Sequence, residues 1–166
     1  MRKGLLFLTS IAGFSLAQEP ELIVYPKSVS TWEVSAMLGG VHYKEKVLGD
    51  TWIAGLRADY RIKYPFLAGG GFYASGSSDL LMLYPELRAK VRIPLFSSLK
   101  LDLVGSADLG YADNKVLKKK KIITGAGAGA ELLFFTEKAH LGLSISYVIF
   151  SDSRFNSLRG GLVIGF

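Results

Sequence analysis

Cysteine is absent from the 166 residues, which excludes a disulfide-stapled scaffold, a thiolate metal site and a lipid anchor attached through sulfur. Histidine occurs only at His42 and His140, too few for a His-rich metal pattern, and no Gly-rich phosphate loop or nucleic-acid recognition helix is present. Hydrophobic residues make up 49% of the chain, yet no uninterrupted run of about 18 apolar residues occurs, so a protein that crosses a membrane with helices is not expected. Prolines number five against nineteen glycines, a balance that suits strands, tight turns and small inward-facing positions.

The N-terminus is a different kind of segment. Arg2 and Lys3 precede an apolar run from Leu5 to Leu16, and Ser15 and Ala17 supply the small residues a signal peptidase requires. Residues 1–17 therefore read as a secretory signal peptide cut before Gln18, and 18–31, broken by Pro20 and Pro26, as a periplasmic lead-in. Cleavage removes two positive charges and takes the formal net charge from +6 to +4, an excess too modest to argue for nucleic acid as a partner.

From Trp32 onward the dominant signal is alternation with a period of two. Residues 51–64 show it most clearly: Trp52, Ala54, Leu56, Ala58, Tyr60, Ile62 and Tyr64 form one uncharged row, while Arg57, Asp59, Arg61 and Lys63 fall on the other. The apolar row is as long as a bilayer-crossing strand of about 9 to 11 tilted residues and is bounded by Trp and Tyr. Similar segments are expected at about 32–43, 66–75, 80–93, 99–111, 122–135, 139–151 and 158–166. Three connections are short, at 63–65, 94–98 and 136–138, while 112–121 reads as the longest loop, and Pro85 predicts a bulge in the fourth strand. Eight strands with short turns on one rim and longer loops on the other predict an all-β fold: an eight-stranded antiparallel up-and-down transmembrane barrel, with both termini periplasmic, over 32–166.

Alternation alone does not say which face is outside. A barrel of eight strands has room inside for side chains and little else, so the row rich in Leu, Ile, Tyr and Trp belongs on the wide outer face. The polar row then fills the lumen with Glu33, Arg57, Asp59, Arg61, Glu86, Arg88, Lys90, Arg92, Lys100, Asp102, Asp108, Glu131, His140 and Arg159. Buried charges persist when paired, and simple hairpin registers bring Glu33 near Arg61 and Lys90 near Asp102. This set is either a structural ion network that plugs the barrel or the lining of a narrow ion or small-solute path gated by breaking those pairs.

Lys118, Lys119, Lys120 and Lys121 form a charge run in the expected outer loop, where lysine serves as a point-charge partner for lipopolysaccharide phosphates or is simply solvated. For catalysis the inventory is thin. His140 and Ser144 share a face, but four residues along a strand separates them by about 13 Å. His42, Ser78 and Asp79 at the outer end are the one set that would suit acyl transfer. No enzyme activity, cofactor or metal is expected.

With its signal peptide, its eight alternating segments and a terminal strand closing on Leu162, Ile164 and Phe166, the chain resembles the small eight-stranded outer-membrane proteins of the OmpA transmembrane domain and OmpX type over 32–166. The resemblance implies a bacterial outer-membrane location, contact with outer-membrane lipid and lipopolysaccharide, and reading of Leu162, Ile164 and Phe166 by the barrel-insertion machinery. It implies a contribution to envelope structure or surface interaction. A likeness to the lipid A palmitoyltransferase barrel gives the acyl-transfer alternative its form.

Overall fold

The structure, a computed structural model, describes residues 32–115 and 119–166; the expected signal peptide and lead-in lie outside them. Eight antiparallel strands follow one another around a closed barrel. They are β1 (Trp32–Tyr43), β2 (Asp50–Lys63), β3 (Phe66–Gly76), β4 (Leu80–Pro94), β5 (Leu99–Asn114), β6 (Lys119–Phe135), β7 (His140–Phe150) and β8 (Ser157–Gly165), with β8 hydrogen-bonded back to β1. Closure leaves no unpaired sheet edge, the condition that a strand in hydrocarbon must meet.

The alternation places side chains as volume requires. Leu56 and Leu87 on the outer wall are 67% and 72% exposed, while Val148 and Val163 on the inner wall are fully covered. Away from the strand ends the charged residues of the spanning strands point inward, and the outward row is uncharged and rich in Leu, Ile, Val and aromatic residues. Exposed aromatics gather at the two ends: Trp32, Tyr60, Phe66, Phe134 and Phe166 at the end where β1 begins and β8 finishes, and Trp52, Tyr111 and Tyr147 at the other. Such girdles mark the two interfaces of a membrane barrel.

The inner wall is crowded enough to require missing side chains. A Cβ on Gly69 would lie 2.1 Å from the Ala58 carbonyl oxygen and 2.6 Å from the Asp59 carboxylate, so the glycine makes room for the charge beside it.

Two expectations are corrected. Pro85 produces no bulge: the β4–β5 ladder lapses at Tyr84 and Pro85 but resumes in the same register, Leu83 opposite Tyr111 and Glu86 opposite Asp108. Proline lacks the donor for one ladder bond, and the rungs on either side carry the register across. The irregularity that does occur lies between Arg61 and Lys63 on β2, beside the turn. The expected long loop at 112–121 is mostly strand, because β5 and β6 continue past the apolar belt with Ala112, Asp113 and Asn114 opposite Lys121, Lys120 and Lys119. Burial of Ala112 and Asn114 inside the barrel mouth and the opposite charges of Asp113 and Lys120 favour that extension.

Candidate functional site

The lumen has two storeys. The one toward the end where β1 begins and β8 finishes is ionic. Glu131, on β6, accepts from Arg57 at 2.5 Å, Arg88 at 2.8 Å and Lys90 at 2.9 Å, with Ser144 at 3.3 Å. Lys90 also meets Asp59 at 2.6 Å and Asp102 at 3.8 Å, and Arg88 lies 3.3 Å from Asp59. Below this cluster Arg92 forks between two carboxylates, donating to Glu33 at 2.6 and 2.8 Å and to Asp102 at 2.8 and 2.7 Å. Arg61 donates to Glu33 at 3.1 Å. Above it Arg159 pairs with Asp108 at 3.0 Å and Glu86 at 3.7 Å, its guanidinium 4.3 Å from the centre of the Tyr84 ring.

Local structure explains these meetings. Residues two apart on one strand point into the lumen together, so Arg88, Lys90 and Arg92 descend β4 as a ladder of cations, while Arg57, Asp59 and Arg61 do so on β2. The expected proximities of Glu33 to Arg61 and of Lys90 to Asp102 both occur, as diagonals: the residues directly opposite are Glu33 and Asp59, and Arg92 and Asp102. Among the described residues seven cations inside the barrel, Arg57, Arg61, Arg88, Lys90, Arg92, Lys100 and Arg159, stand against six carboxylates, Glu33, Asp59, Glu86, Asp102, Asp108 and Glu131. Near neutrality lets the set be buried.

Open space is scarce. A cavity of about 20 Å³ lies beside Arg57, Ser106, Ser144 and Ser146, room for about one water, and the buried Arg57 Nη2, with no protein partner, adjoins it.

The outer storey is mainly apolar. Val41, Tyr43, Ile53, Met82, Ile123, Val148 and Phe150 pack inside the barrel, and Leu48 and Phe155 drop in from short 3-10 turns at Lys46–Leu48 and Ser153–Phe155. Tyr43 gives its hydroxyl partners within this storey, Ser75 at 3.0 Å and Met82 at 3.1 Å. Alternation alone does not separate this storey from the ionic one. Its signal was present in the uncharged inward positions at the outer ends of β1, β4 and β7.

At the outer rim the lysine run divides. Lys118 lies outside the described residues, Lys119 pairs through its backbone with Asn114, Lys120 bonds Asp113 at 3.3 Å, and Lys121 bonds Asp152 at 3.2 Å. Asp152 also takes Arg154 at 2.7 Å, and hydrogen bonds from Arg154 hold its carboxyl well below the usual carboxylate range. Leu162 and Ile164 point outward on β8, and Phe166 continues the seam through two backbone bonds with Val34.

His42, Ser78 and Asp79 are not assembled into a catalytic set. His42 Nδ1 lies 2.6 Å from Asp50, its register partner across the first hairpin. Ser78 instead donates to Asp79 at 3.0 Å and gives its carbonyl to Lys115. The carboxylate of Asp50 can only accept, so Nδ1 carries the proton in this pair.

An apolar exterior, aromatic girdles, full closure and a filled lumen define an eight-stranded barrel of the transmembrane type. Solved structures share this fold: Neisserial surface protein A (15% identity, TM-score 0.66, covering 84% of this chain and 97% of that one), the N-terminal barrel domain of Pseudomonas aeruginosa OprF (16%, 0.61, 81% and 96%) and Ail, the attachment invasion locus protein of Yersinia pestis (16%, 0.56, 82% and 97%). These are small outer-membrane barrels, and at this level of identity the likeness is one of fold. No protein-family model and no curated protein sequence matches the chain.

Proposed function

We propose that the protein is an integral barrel of the bacterial outer membrane, with both termini periplasmic, that acts without catalysis as a sealed wall element contributing to envelope structure or surface interaction. The observation that carries this reading is the pairing of an apolar, aromatic-girdled exterior with a lumen filled from wall to wall by ion pairs below and apolar side chains above. The exterior needs lipid, and the filled interior leaves no path for solute. Function then resides at the two rims and the outer wall. Leu162, Ile164 and Phe166 at the barrel's closing seam support recognition by the insertion machinery.

Because the chain has no cysteine, orientation is testable with single thiols. Val47, 60% exposed in the first outer connection, and Phe96, 71% exposed in the β4–β5 turn, lie at opposite ends. In intact cells a membrane-impermeant maleimide should label V47C and spare F96C until the outer membrane is opened. Equal labelling, or the reverse pattern, would defeat the proposal.

A further inference from the structure

The outward row of β1 runs Leu38, Gly40, His42 and that of β8 runs Leu158, Gly160, Leu162, so Gly40 and Gly160 face each other across the β1–β8 seam. Their inward neighbours are glycine by steric necessity. A Cβ on Gly39 would lie 2.0 Å from the Gly160 carbonyl oxygen, and one on Gly161 would lie 2.5 Å from that of Leu38. The outward pair is under no such constraint, since a Cβ on either would find its nearest heavy atom at 3.7 Å, an ordinary contact. Wall packing therefore does not explain why two adjacent positions on an exterior of Leu, Ile, Val and Trp carry no side chain.

Their consequence is a dent of about 330 Å³ in the outer half of the wall, floored by Gly40 and Gly160 and edged by Leu158 and Ile145. Trp52, opposite Gly40 on β2, leans the other way, with its ring 3.4 Å from where a Gly76 Cβ would stand. Polar groups crown the dent. His42 and Asp50 form its upper edge, hydrogen-bonded at 2.6 Å and both exposed. The row ends at Lys44, exposed, its backbone N–H anchored to the Asn156 carbonyl at 2.8 Å. Ion pairs at the outer rim involve Lys120, Lys121, Arg154 and His42; among the described residues none involves Lys44. Lys44 follows His42 in the same row, just beyond the dent's polar edge, and an apolar slot with an unpaired cation beyond its upper edge is complementary to a lipid with an anionic head.

We propose, on the outer-membrane reading above, that this dent seats one acyl chain of a phosphate-bearing lipid of the outer leaflet. Lys44 holds the phosphate, and Asp50, accepting from Nδ1–H, orients His42 so that Nε2 is left to accept from a headgroup hydroxyl.

The test uses tryptophan quenching by brominated lipid. With Trp32 and Trp52 changed to phenylalanine, a single tryptophan is placed at the dent (L158W) or on the far wall at β5 (L109W), and the barrel is refolded into vesicles mixing brominated phosphatidylglycerol with unbrominated phosphatidylcholine. At low bromide fractions the dent reporter should be quenched beyond the bulk composition, and the far-wall reporter in proportion to it. Filling the dent (G40L with G160L) should remove the excess, and K44Q should lower the preference for the anionic lipid by about fivefold. Proportional quenching at both positions would overturn the lipid site while leaving the barrel in the bilayer. No quenching at either would overturn the membrane reading itself.

Discussion

Arg57 and Glu131, 74 residues apart in sequence, meet at 2.5 Å across the lumen. They stand on β2 and β6, four strands apart either way around a ring of eight, so this one bond spans the barrel's full width. Arg88 and Lys90 converge on the same carboxylate from β4. Glu131 is thus the hub through which three strands are tied across the interior.

Removing that hub leaves three buried cations around an empty place. Glu131→Ala should cost about 3 to 5 kcal/mol, the range for breaking a buried ion pair by deleting one partner. Urea titration of the refolded barrel in lipid vesicles, followed by tryptophan fluorescence, measures it. A loss below about 1 kcal/mol would mean that the network is hydrated and loosely held.

The outer wall makes the opposite demand. Leu87 is 72% exposed at the middle of β4, and Leu87→Arg should destabilise the lipid-embedded barrel by about 2 to 4 kcal/mol. Val47→Arg, in the outer connection, should stay within about 0.5 kcal/mol of the parent in the same titration. Equal effects at the two positions would deny the apolar belt its lipid.

Asp152 clamps the β7–β8 connection through Arg154 and Lys121. Its folded pKa is lowered, so its contribution is present above the unfolded pKa and is lost as pH falls through the folded one. The loop should therefore hold its arrangement through the ordinary carboxylate range and release only in stronger acid. Carboxyl-carbon NMR should show Asp152 still ionised where other exposed carboxylates have titrated, and an ordinary midpoint would remove the clamp.

Much of this was legible from alternation alone. The period of two gave strand identity, and a lumen too narrow for bulky rows gave the facing, so Glu33, Arg57, Asp59 and Glu131 could be placed inside before any register was known. Register decides what touches what, and it depends on a turn's length to the residue. Glu33 meets Arg61 as hairpin register leads one to expect, but the register shift between Arg61 and Lys63 and the diagonal offset of that pair follow from details that the pattern does not encode. Pairings across the lumen, such as Arg57 with Glu131, join strands that share no hairpin and were out of reach. The lysine run misled because charge density resembles a loop, whereas Asp113 opposite Lys120 keeps the strands paired beyond the apolar belt. His42 with Asp50 was within reach, since counting back from their hairpin sets them opposite each other.

The sealed lumen is the claim on which the rest turns, and planar-bilayer conductance of the refolded chain from Gln18 to Phe166 tests it most directly. A barrel whose fold is verified by heat-modifiable migration should be electrically silent, because the Arg57–Glu131 bond and the apolar storey above it leave no continuous water path. Discrete, salt-dependent current steps from the parent barrel would contradict the account and make the interior charges the lining of a channel.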